Sequence, residues 1–436
     1  MKKYVAIAGG WLLFTFCSNS PKNNALLSEN YYVESDSIPS LSFENMEDGV
    51  VLNYSDIYDS LLFVKLETTS EALVGRVSKV EVLKDGSFLI FDNANAGIFV
   101  FSSNGTFSNC IGHRGNGEKE YLTPEDVVYD LYNDEVIVWD YNKMHLMFFH
   151  TNGEYIRKIK LPWRIGTLQV LDKEHLAVFM NHRDDIDHGY GCNIKVLDRN
   201  GVLLSEGLPY NEQLGAFRPA CKTAFSTYNN MLYCNPPYSS VIYEVKKDSV
   251  FPRYSLDFGN HAIPKEWFGH MDNREMNKRL RKNPDLAYCV LFHETANYFL
   301  LNIVKDKLVN MGLYPKQGNG EGQCISFLFN DMYGLVSTNA IQAVKGNRVV
   351  GVLYADQFEP YQEILEEESE PEAVKENIVD KLYGKKFMSF FSKNKVEEQV
   401  REHIMSSHLK IAQEERAFIQ SVDKDDNPIL QIGVLK

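Results

Sequence analysis

The sequence predicts an all-β fold, a six-bladed β-propeller with helical insertions in its C-terminal half, and three observations lead to this prediction. A strand, an Asn-Gly turn and a second strand recur with the turn glycines at Gly105, Gly153 and Gly201, spaced 48 positions apart. Short apolar runs such as FLIFD, VIVWD and LMFF precede these turns and are nearly continuous. Four short strands in a repeat of about 40 to 50 residues are typical of a propeller blade.

Each repeat needs its neighbours because a lone four-stranded sheet with apolar residues on both faces cannot bury them. Sheets stacked around an axis bury each face against the next sheet, which explains why the apolar runs are continuous rather than alternating. Six units of 48 residues fit between Leu61 and Lys436 and leave room for helical segments, whereas eight units do not. Six blades fit best, and seven remain an alternative.

The chain divides into an N-terminal part and a propeller. Residues 1–17 are a signal segment, residues 18–55 a tether and N-terminal extension, and residues 56–436 the propeller. Helical insertions are expected near 264–286, in IPKEWFGHMDNREMNKRLRKNP, and near 363–420, after an acidic stretch. The ring would close if DSLLFVKLET pairs in the blade that NPILQIGVLK completes, since this removes an open sheet edge.

The first 17 residues have the features of an export signal. Lys2 and Lys3 precede an apolar run, Tyr4 to Phe16, that is too short to span a bilayer. Cys17 follows the run directly, and a polar SNSPKNN tether comes next. This arrangement resembles a bacterial lipoprotein signal, in which Cys17 would be the site of lipid attachment. Plain secretion and an uncleaved anchor are the alternatives.

Charge and cysteine content restrict the partners. The net charge of -14 and the pI near 5.3 disfavour nucleic acid and electrostatic docking on anionic lipid. We therefore expect membrane contact through the N-terminal lipid only. The six cysteines after Cys17 lie mostly in apolar text and are expected to be small buried hydrophobes, with Cys221 and Cys234 the pair to test for a disulfide.

Several segments resemble one family. IGHRGNGEKEYLTPEDVVYD, IVWD, FHTNGEYIRKIKLP, SLLFVKLETT and DNPILQIGVLK are similar to the NHL-like, six-bladed β-propeller lipoproteins that Gram-negative bacteria export. The resemblance covers roughly residues 50 to 436. The function of that family is largely uncharacterised, so the resemblance implies a fold and an address in the cell envelope, as an outer-membrane lipoprotein or in the periplasm.

Two polar clusters are candidate ligand sites. The glycine-rich loop 112–121 would present polar groups at the mouth of the central channel, with the alternative that it is only the crossover to the next blade. The run NHRDDIDHG could hold a hard cation through carboxylate oxygens, with a solvated hairpin loop as the alternative. The candidate residues are His113, Arg114, Glu118 and Tyr121 in the first cluster, and Asp184, Asp185, Asp187 and His188 in the second.

The sequence favours a binding function. It contains no G-x-S-x-G motif, and HETAN lacks the second histidine of a zinc protease helix, so no residue is assigned a catalytic role and no cofactor is required. We expect an exported interaction module for a glycan, a peptide or a protein partner. The alternative is a metal-dependent propeller enzyme of the lyase or lactonase type, with its site at the central channel.

Overall fold

Strands dominate the structure. In the part of the chain that is described, they form six sheets of four or five strands each. A computed structural model describes residues 38–44, 46, 50–182, 191–210, 219–268, 271–318, 320–332, 338, 340–367, 370–382, 394–407 and 413–436.

The first described segment contains β1 Ser40–Ser42, β2 Val50–Asn53, α1 Tyr54–Ile57 and β3 Tyr58–Lys65. Its strands join sheets that form much later in the chain, and the six sheets are numbered here in the chain order of their other strands. Strand β1 lies parallel to the outer strand of sheet 4, and β2 lies parallel to the outer strand of sheet 5. A short helix, α1, then leads into β3, which is the outer strand of sheet 6.

Sheets 1 to 3 each consist of four antiparallel strands that follow one another in sequence. Sheet 1 contains β4 Lys79–Val82, β5 Phe88–Asp92, β6 Gly97–Phe101 and β7 Phe107–Cys110. Sheet 2 contains β8 Pro124–Asp130, β9 Glu135–Asp140, β10 His145–His150 and β11 Tyr155–Lys160. Sheet 3 contains β12 Thr167–Val170, β13 His175–Phe179, β14 Cys192–Asp198 and β15 Leu203–Pro209.

Sheets 4 to 6 include the N-terminal strands. Sheet 4 contains β16 Phe225–Tyr228, β17 Met231–Cys234, β18 Val241–Val245 and β19 Val250–Asp257, with β1 outside. Sheet 5 contains β20 Tyr288–Glu294, β21 Tyr298–Lys305, β22 Leu308–Pro315 and β23 Gln323–Phe329, with β2 outside. Sheet 6 contains β24 Ala343–Lys345, β25 Arg348–Leu353, β26 Ile429–Leu435 and β3.

Apolar clusters between neighbouring sheets show how the sheets are arranged. Each pair of consecutive sheets shares one cluster of buried side chains, and sheet 6 shares one with sheet 1. The six sheets therefore stack face to face around an axis, which confirms the predicted propeller. Representative pairs, in order around the ring, are Phe91 with Val136, Trp139 with Leu176, Phe179 with Tyr243, Tyr233 with Phe292, Leu300 with Val349, and Val350 with Ile90.

The ring closes through the pairing that the sequence predicted. Strand β26, near the C-terminus, lies between β25 and β3, and Ser60 is the Cα partner of Val434. The first strand of each sheet is innermost: β4 contacts β8 and β24, β8 contacts β12, and β16 contacts β12 and β20. The inner strands thus form the wall of a central channel.

The repeated glycines occupy equivalent turns. Gly105, Gly153 and Gly201 have φ of +89°, +89° and +83°, and the N–H of each donates to the carbonyl three residues earlier. Each turn joins the third strand of its sheet to the fourth, and a register shift follows in each hairpin. This geometry is a three-residue hairpin loop with glycine in the left-handed position.

Two buried aspartates at the same 48-residue spacing are structural. The Asp92 carboxylate accepts the Gly75 N–H at 2.8 Å, and the Asp140 carboxylate accepts the Leu122 N–H at 2.6 Å. Both carboxylates end the second strand of a sheet and hold the crossover that leads into that sheet. Their burial is therefore compensated by backbone donors.

Among the described residues, the helices apart from α1 lie in the C-terminal half, as predicted. Helix α2, Asn273–Lys282, with single turns at Gly259–His261 and Lys265–Trp267, precedes sheet 5. The others follow β25 and pack with it in one apolar cluster. These are α3 Glu359–Glu367, α4 Pro371–Asn377 with a continuation at Ile378–Leu382, α5 Asn394–Ser406 and α6 Gln413–Gln420, after a turn at Ala355–Gln357.

Candidate functional site

A cavity of about 370 Å³ opens at one end of the central channel and is lined by residues of all six sheets. It lies where each inner strand leads into the first hairpin turn of its sheet. We call this cavity the channel mouth. Its lining consists of Glu81, Val82, Lys84, Tyr129, Leu131, Tyr132, Gln169, Val170, Leu171, residues 227–232, Glu294 and residues 343–346.

Aromatic and amide side chains form one part of the channel mouth. Asn229 and Asn230 both have positive φ, +47° and +60°, and connect β16 to β17 in a two-residue turn of the kind that favours asparagine. The Tyr132 hydroxyl lies 3.4 Å from Asn230 Oδ1. Because Tyr132 belongs to sheet 2 and Asn230 to sheet 4, this hydrogen bond bridges the mouth past sheet 3.

A charge cluster adjoins this surface, with Asp126 buried and Lys79 and Glu81 half-buried. Lys79 Nζ is 3.0 Å from Asp126 Oδ1 and 3.7 Å from Glu81 Oε1. Asp126 also accepts the Leu168 N–H at 2.8 Å, so the cluster joins sheets 1, 2 and 3. Burial raises the pKa of Asp126 and of Glu81. Burial alone would lower the pKa of Lys79, but the two carboxylates outweigh it and raise the pKa overall.

Lys345 connects the last sheet to the first at the mouth. Its Nζ donates to the carbonyl of Val82 at 3.0 Å and also to the carbonyl of Leu83. Burial lowers the pKa of Lys345, while Asp85 and Glu81 oppose that shift. The ammonium thus ties the inner edges of sheets 6 and 1 together.

On the side of the channel mouth that sheets 4 and 5 form, Glu294 contacts polar groups of both sheets. Lys316 Nζ lies 2.6 Å from Glu294 Oε1, and the Tyr254 hydroxyl lies 3.4 Å from Glu294 Oε2. The same ammonium stands over the ring of Tyr228, 4.6 Å from its centroid. The Tyr228 ring is therefore positioned by a cation–π contact with the Lys316 ammonium, whose charge Glu294 neutralises.

His293 lies beside Glu294 and is half-buried. Its Nε2 is buried and has no hydrogen-bond partner among the described residues. Burial lowers the pKa of His293 to about 4, so the imidazole is neutral at pH 7. It adds no charge to the channel wall.

The first predicted cluster is in the crossover from sheet 1 to sheet 2 and does not line the channel mouth. His113, Arg114 and Glu118 are exposed, and Tyr121 is buried. The loop is held by backbone contacts between Tyr121 and residues 113–115, and by Lys143 Nζ, which donates to several of its carbonyl oxygens. These contacts explain the loop shape, and a ligand role for its four residues stays a prediction.

The second predicted cluster, Asp184, Asp185, Asp187 and His188, lies outside the described residues, as does Cys17. Across the described ranges, no group of three or more His, Cys, Asp or Glu side chains could hold a metal ion. The helices found there are all too short or too polar to cross a bilayer. The six described cysteines have free thiols, and Cys221 packs in the same apolar cluster as Cys234.

Sequence reasoning missed the channel mouth although a signal for it existed. Aligning the repeats places Asp85-Gly86, Asn133-Asp134 and Asn229-Asn230 in the first turn of sheets 1, 2 and 4. Such turns all emerge at the same end of the channel in a propeller. Their flanking residues, including Tyr132, could have been grouped on that basis. Lys79 and Asp126 carried no local signal.

Comparison with known proteins gives a family and a fold. The model of the family described as a domain of unknown function, DUF4934, matches residues 39–382. No curated protein matches the sequence significantly. A structure of a Bacteroides fragilis protein described as exported has 17% identity and a TM-score of 0.65, covering 91% of this chain and 99% of its own. It shares the fold.

Two further structures are less similar. A DUF4221 family member from Bacteroides vulgatus has 11% identity and a TM-score of 0.39, with 61% of this chain and 78% of its own covered. Virginiamycin B lyase from Staphylococcus aureus has 11% identity and a TM-score of 0.36, with 67% and 80% covered.

Proposed function

The chain belongs to the DUF4934 family, and we propose that it is an exported β-propeller that acts as an interaction module and binds its ligand at the channel mouth. The channel mouth carries this proposal: it is a cavity of about 370 Å³ to which all six sheets contribute. Concave sites with a few convergent polar groups are where small ligands bind. The signal segment and the exported Bacteroides fragilis protein support export.

The proposal includes a blade class and an address in the cell envelope. The chain would be a six-bladed, NHL-like propeller tethered to the membrane by a lipid on Cys17. Lys2, Lys3, the short apolar run and the cysteine at its end support this anchor. Mass spectrometry of the mature N-terminus tests it. An acylated Cys17 is expected, and a free amino group at a later residue would contradict it.

A glycan is the ligand that the lining favours. Tyr132 and Tyr228 offer ring faces for the apolar face of a sugar, and Gln169, Asn229 and Asn230 offer amides that both donate to and accept from hydroxyl groups. The carboxylate of Glu294 is already paired with Lys316. The lining therefore combines aromatic and amide groups with the cations Lys84 and Lys345, and the aromatic and amide groups suit a hydroxyl-rich ligand.

A glycan array probed with the chain lacking residues 1–17 tests the proposal. An array of unmodified peptides, probed in the same way, tests the competing class of ligand. The site variant is Asn230→Gly, which removes the amide but keeps a residue that tolerates φ of +60°. The matched control is Lys307→Gly, an exposed position at φ +66° in the turn between β21 and β22. We expect the first variant to weaken glycan binding by about tenfold and the second to leave it unchanged.

Two results would count against the proposal. Binding confined to the peptide array would replace the glycan by a peptide or protein partner, and glycan binding that Asn230→Gly leaves intact would move the site away from the channel mouth. The metal-dependent lyase or lactonase alternative has no specific observation in its favour in the described ranges.

A further inference from the structure

Glu81 and Glu294 line the channel mouth, and each of these carboxylates is paired with a lysine. Lys79 Nζ lies 3.7 Å from Glu81 Oε1, and Lys316 Nζ lies 2.6 Å from Glu294 Oε1. Both ammonium groups belong to residues outside the lining, so the carboxylates are compensated from outside the cavity. The channel mouth therefore presents little net negative charge, although the whole chain has a net charge of -14.

Two cations of the lining are placed differently. Lys84, in the turn after β4, and Lys345, at the end of β24, are both exposed, and neither forms an ion pair with a carboxylate of the described residues. Asp85, the acid next to Lys84 in sequence, accepts hydrogen bonds from the N–H and the hydroxyl of Ser87, both at 2.9 Å. Its carboxylate is thus engaged in its own hairpin turn, and the two ammonium groups can contact a ligand.

Lys345 is the more firmly positioned of these cations. Its Nζ donates to the carbonyl oxygens of Val82 and Leu83, which hold the ammonium in place without neutralising it. Burial lowers the pKa of Lys345, and nearby carboxylates oppose this shift without reversing it. The adjacent Gly346 faces open space, since a Cβ there would meet nothing within 4 Å. An anion that entered this space would gain a charge-assisted hydrogen bond from a donor already in position.

The cations and the amides lie on different sides of the channel mouth. Lys84 belongs to sheet 1, whereas Asn229 and Asn230 connect the first two strands of sheet 4, which is opposite sheet 1 in the ring of six sheets. The Tyr132 hydroxyl, from sheet 2, reaches Asn230. A ligand that filled the mouth would therefore contact amides and an aromatic ring on one side and ammonium groups on the other.

We propose that the glycan bound at the channel mouth is acidic and carries a carboxylate or a sulfate ester that contacts Lys84 and Lys345, while its sugar rings contact the aromatic and amide side chains. This inference rests on the proposed function and narrows its class of ligand. Both anions present oxygens that accept from an ammonium. An ammonium is a compact charge without the planar fork of a guanidinium, so the recognised feature is a negative charge on a hydroxyl-rich ligand.

Matched pairs printed on the glycan array test the proposal with the chain lacking residues 1–17. One set consists of uronic acid oligomers, such as tetragalacturonic acid, beside their carboxyl-reduced forms. The other consists of sulfated oligosaccharides without uronic acids, such as a keratan sulfate tetrasaccharide, beside their desulfated forms. Titration calorimetry of each bound pair gives the ratio of its two Kd values.

We expect the acidic member of a bound pair to have a Kd at least about tenfold lower than its neutral partner, since only the acidic member can form the ion pairs. The advantage should shrink when NaCl is raised from about 50 mM to about 500 mM, because salt screens charges that are accessible to solvent.

Lysine variants place the anion within the channel mouth. Lys84→Gln and Lys345→Gln each remove one charge, and glutamine at position 345 keeps a donor for the neighbouring carbonyl oxygens. Each variant should reduce the ratio of the two Kd values from about tenfold to about threefold. The matched control is Lys282→Gln, at an exposed lysine of α2 outside the lining, and it should keep the ratio of the parent. Asn230→Gly should weaken both members of a pair and also keep the ratio.

The outcomes separate this inference from the proposed function. A preference within the uronic acid pairs identifies a carboxylate, a preference within the sulfated pairs identifies a sulfate ester, and either supports the proposal. Acidic and neutral partners that bind alike would overturn it and leave glycan binding at the channel mouth intact.

A preference that Lys84→Gln and Lys345→Gln both leave unchanged would also overturn the inference, since the anion would then be bound elsewhere. If no glycan on the array binds, the proposed function and this inference fail together. Thermal melting of each variant checks that the fold is retained.

Discussion

Sheets 1 to 3 and sheets 4 to 6 are built differently although all six stack in one ring. Each of the first three is a local unit of four strands, consecutive in sequence, with an outer strand that ends the sheet. Each of the last three takes a strand from residues 40–65, and even the shortest of these pairings, Ser40 with Ser255, joins residues 215 positions apart. The second half of the ring therefore depends on long-range pairing that the first half does not need.

The difference matters for stability and for folding. Long-range strand pairs form only after a costly loop closure, so sheets 4 to 6 are expected to complete their edges later than sheets 1 to 3. Phe43, just after β1, shows how the N-terminal segment contributes: its ring contacts Phe258 and Tyr314, which follow sheet 4 and belong to sheet 5. Substitutions and truncations can distinguish the contribution of sheets 1 to 3 to stability from that of sheets 4 to 6.

The largest effect is expected when the ring is opened. Removing residues 427–436 deletes β26, the strand between β25 and β3, and separates the N-terminal strand from its sheet. The loss should exceed the total stability of a typical domain, about 5–15 kcal/mol, and prevent folding. Circular dichroism should show no cooperative thermal transition. A cooperative transition close to that of the parent would mean that closure is dispensable.

The next largest loss of stability is expected from a substitution in the N-terminal segment alone. Phe43 is fully buried, and Phe43→Ala should reduce the free energy of unfolding by about 3–5 kcal/mol. The matched change in the first half is Phe107→Ala on β7, which is only half-buried and should cost less. Urea denaturation measures both. Equal losses would show that the N-terminal segment contributes no more than an ordinary outer strand.

Removing the cation between sheets 1 and 2 should reduce the free energy of unfolding by an amount that depends on pH. Lys79→Met leaves Asp126 and Glu81 without their ion-pair partner and should cost about 3–5 kcal/mol at pH 7. The folded-state pKa values of both acids are already raised, so protonation favours the folded state, and the deficit should shrink as the pH falls towards 4.5.

Urea denaturation of parent and Lys79→Met at pH 7 and 4.5 measures this change. The Lys79 ammonium of the parent stays charged at both values, and its contribution is also lost as the pH rises through its raised folded-state pKa. A deficit that stays constant between pH 7 and 4.5 would contradict the charge cluster.

Substituting alanine for the turn glycines should cause smaller losses of stability, and the loss should differ from one glycine to another. A Cβ on Gly105 or Gly153 would lie 2.1 Å from the Lys65 carbonyl oxygen or 2.3 Å from that of Cys110, whereas on Gly346 it would meet nothing within 4 Å. All three have positive φ. Alanine should therefore cost about 3 kcal/mol at the first two and about 1 kcal/mol at Gly346. Thermal melts that rank the three alike would contradict the close contacts.

The sequence predicted what is local and repeated. The spacing of Gly105, Gly153 and Gly201 identified three equivalent turns, and apolar runs bounded by turn residues located the strands around them. The pairing of β3 with β26 was also predicted, because an unclosed ring leaves an edge. These inferences succeed since each repeat carries its own hydrophobic pattern.

The rest depends on contacts between distant parts of the chain. Strands β1 and β2 have three and four residues, too few for a periodic signal, so the added edges of sheets 4 and 5 could not be predicted. The channel mouth combines residues of six sheets, and Lys79 acquires its role only from the position of Asp126. The candidate residues chosen in the sequence were those dense in one segment, whereas the cavity collects single residues from many segments.

The most direct test of the closed ring is a cross-link between its two ends. Ser60 and Val434 are directly opposite in the register of β3 and β26. The double variant Ser60→Cys with Val434→Cys should form a disulfide on mild oxidation, since opposite Cα atoms in antiparallel strands lie within about 4.5–5.5 Å.

The control, Ser60→Cys with Ile432→Cys, shifts one cysteine by two positions and should not form the bond. Peptide mass spectrometry after proteolysis identifies the linked ends. A disulfide in the first variant but not in the second is the result expected from the closed ring. A link in neither, or equally in both, would contradict the pairing that holds the six sheets together.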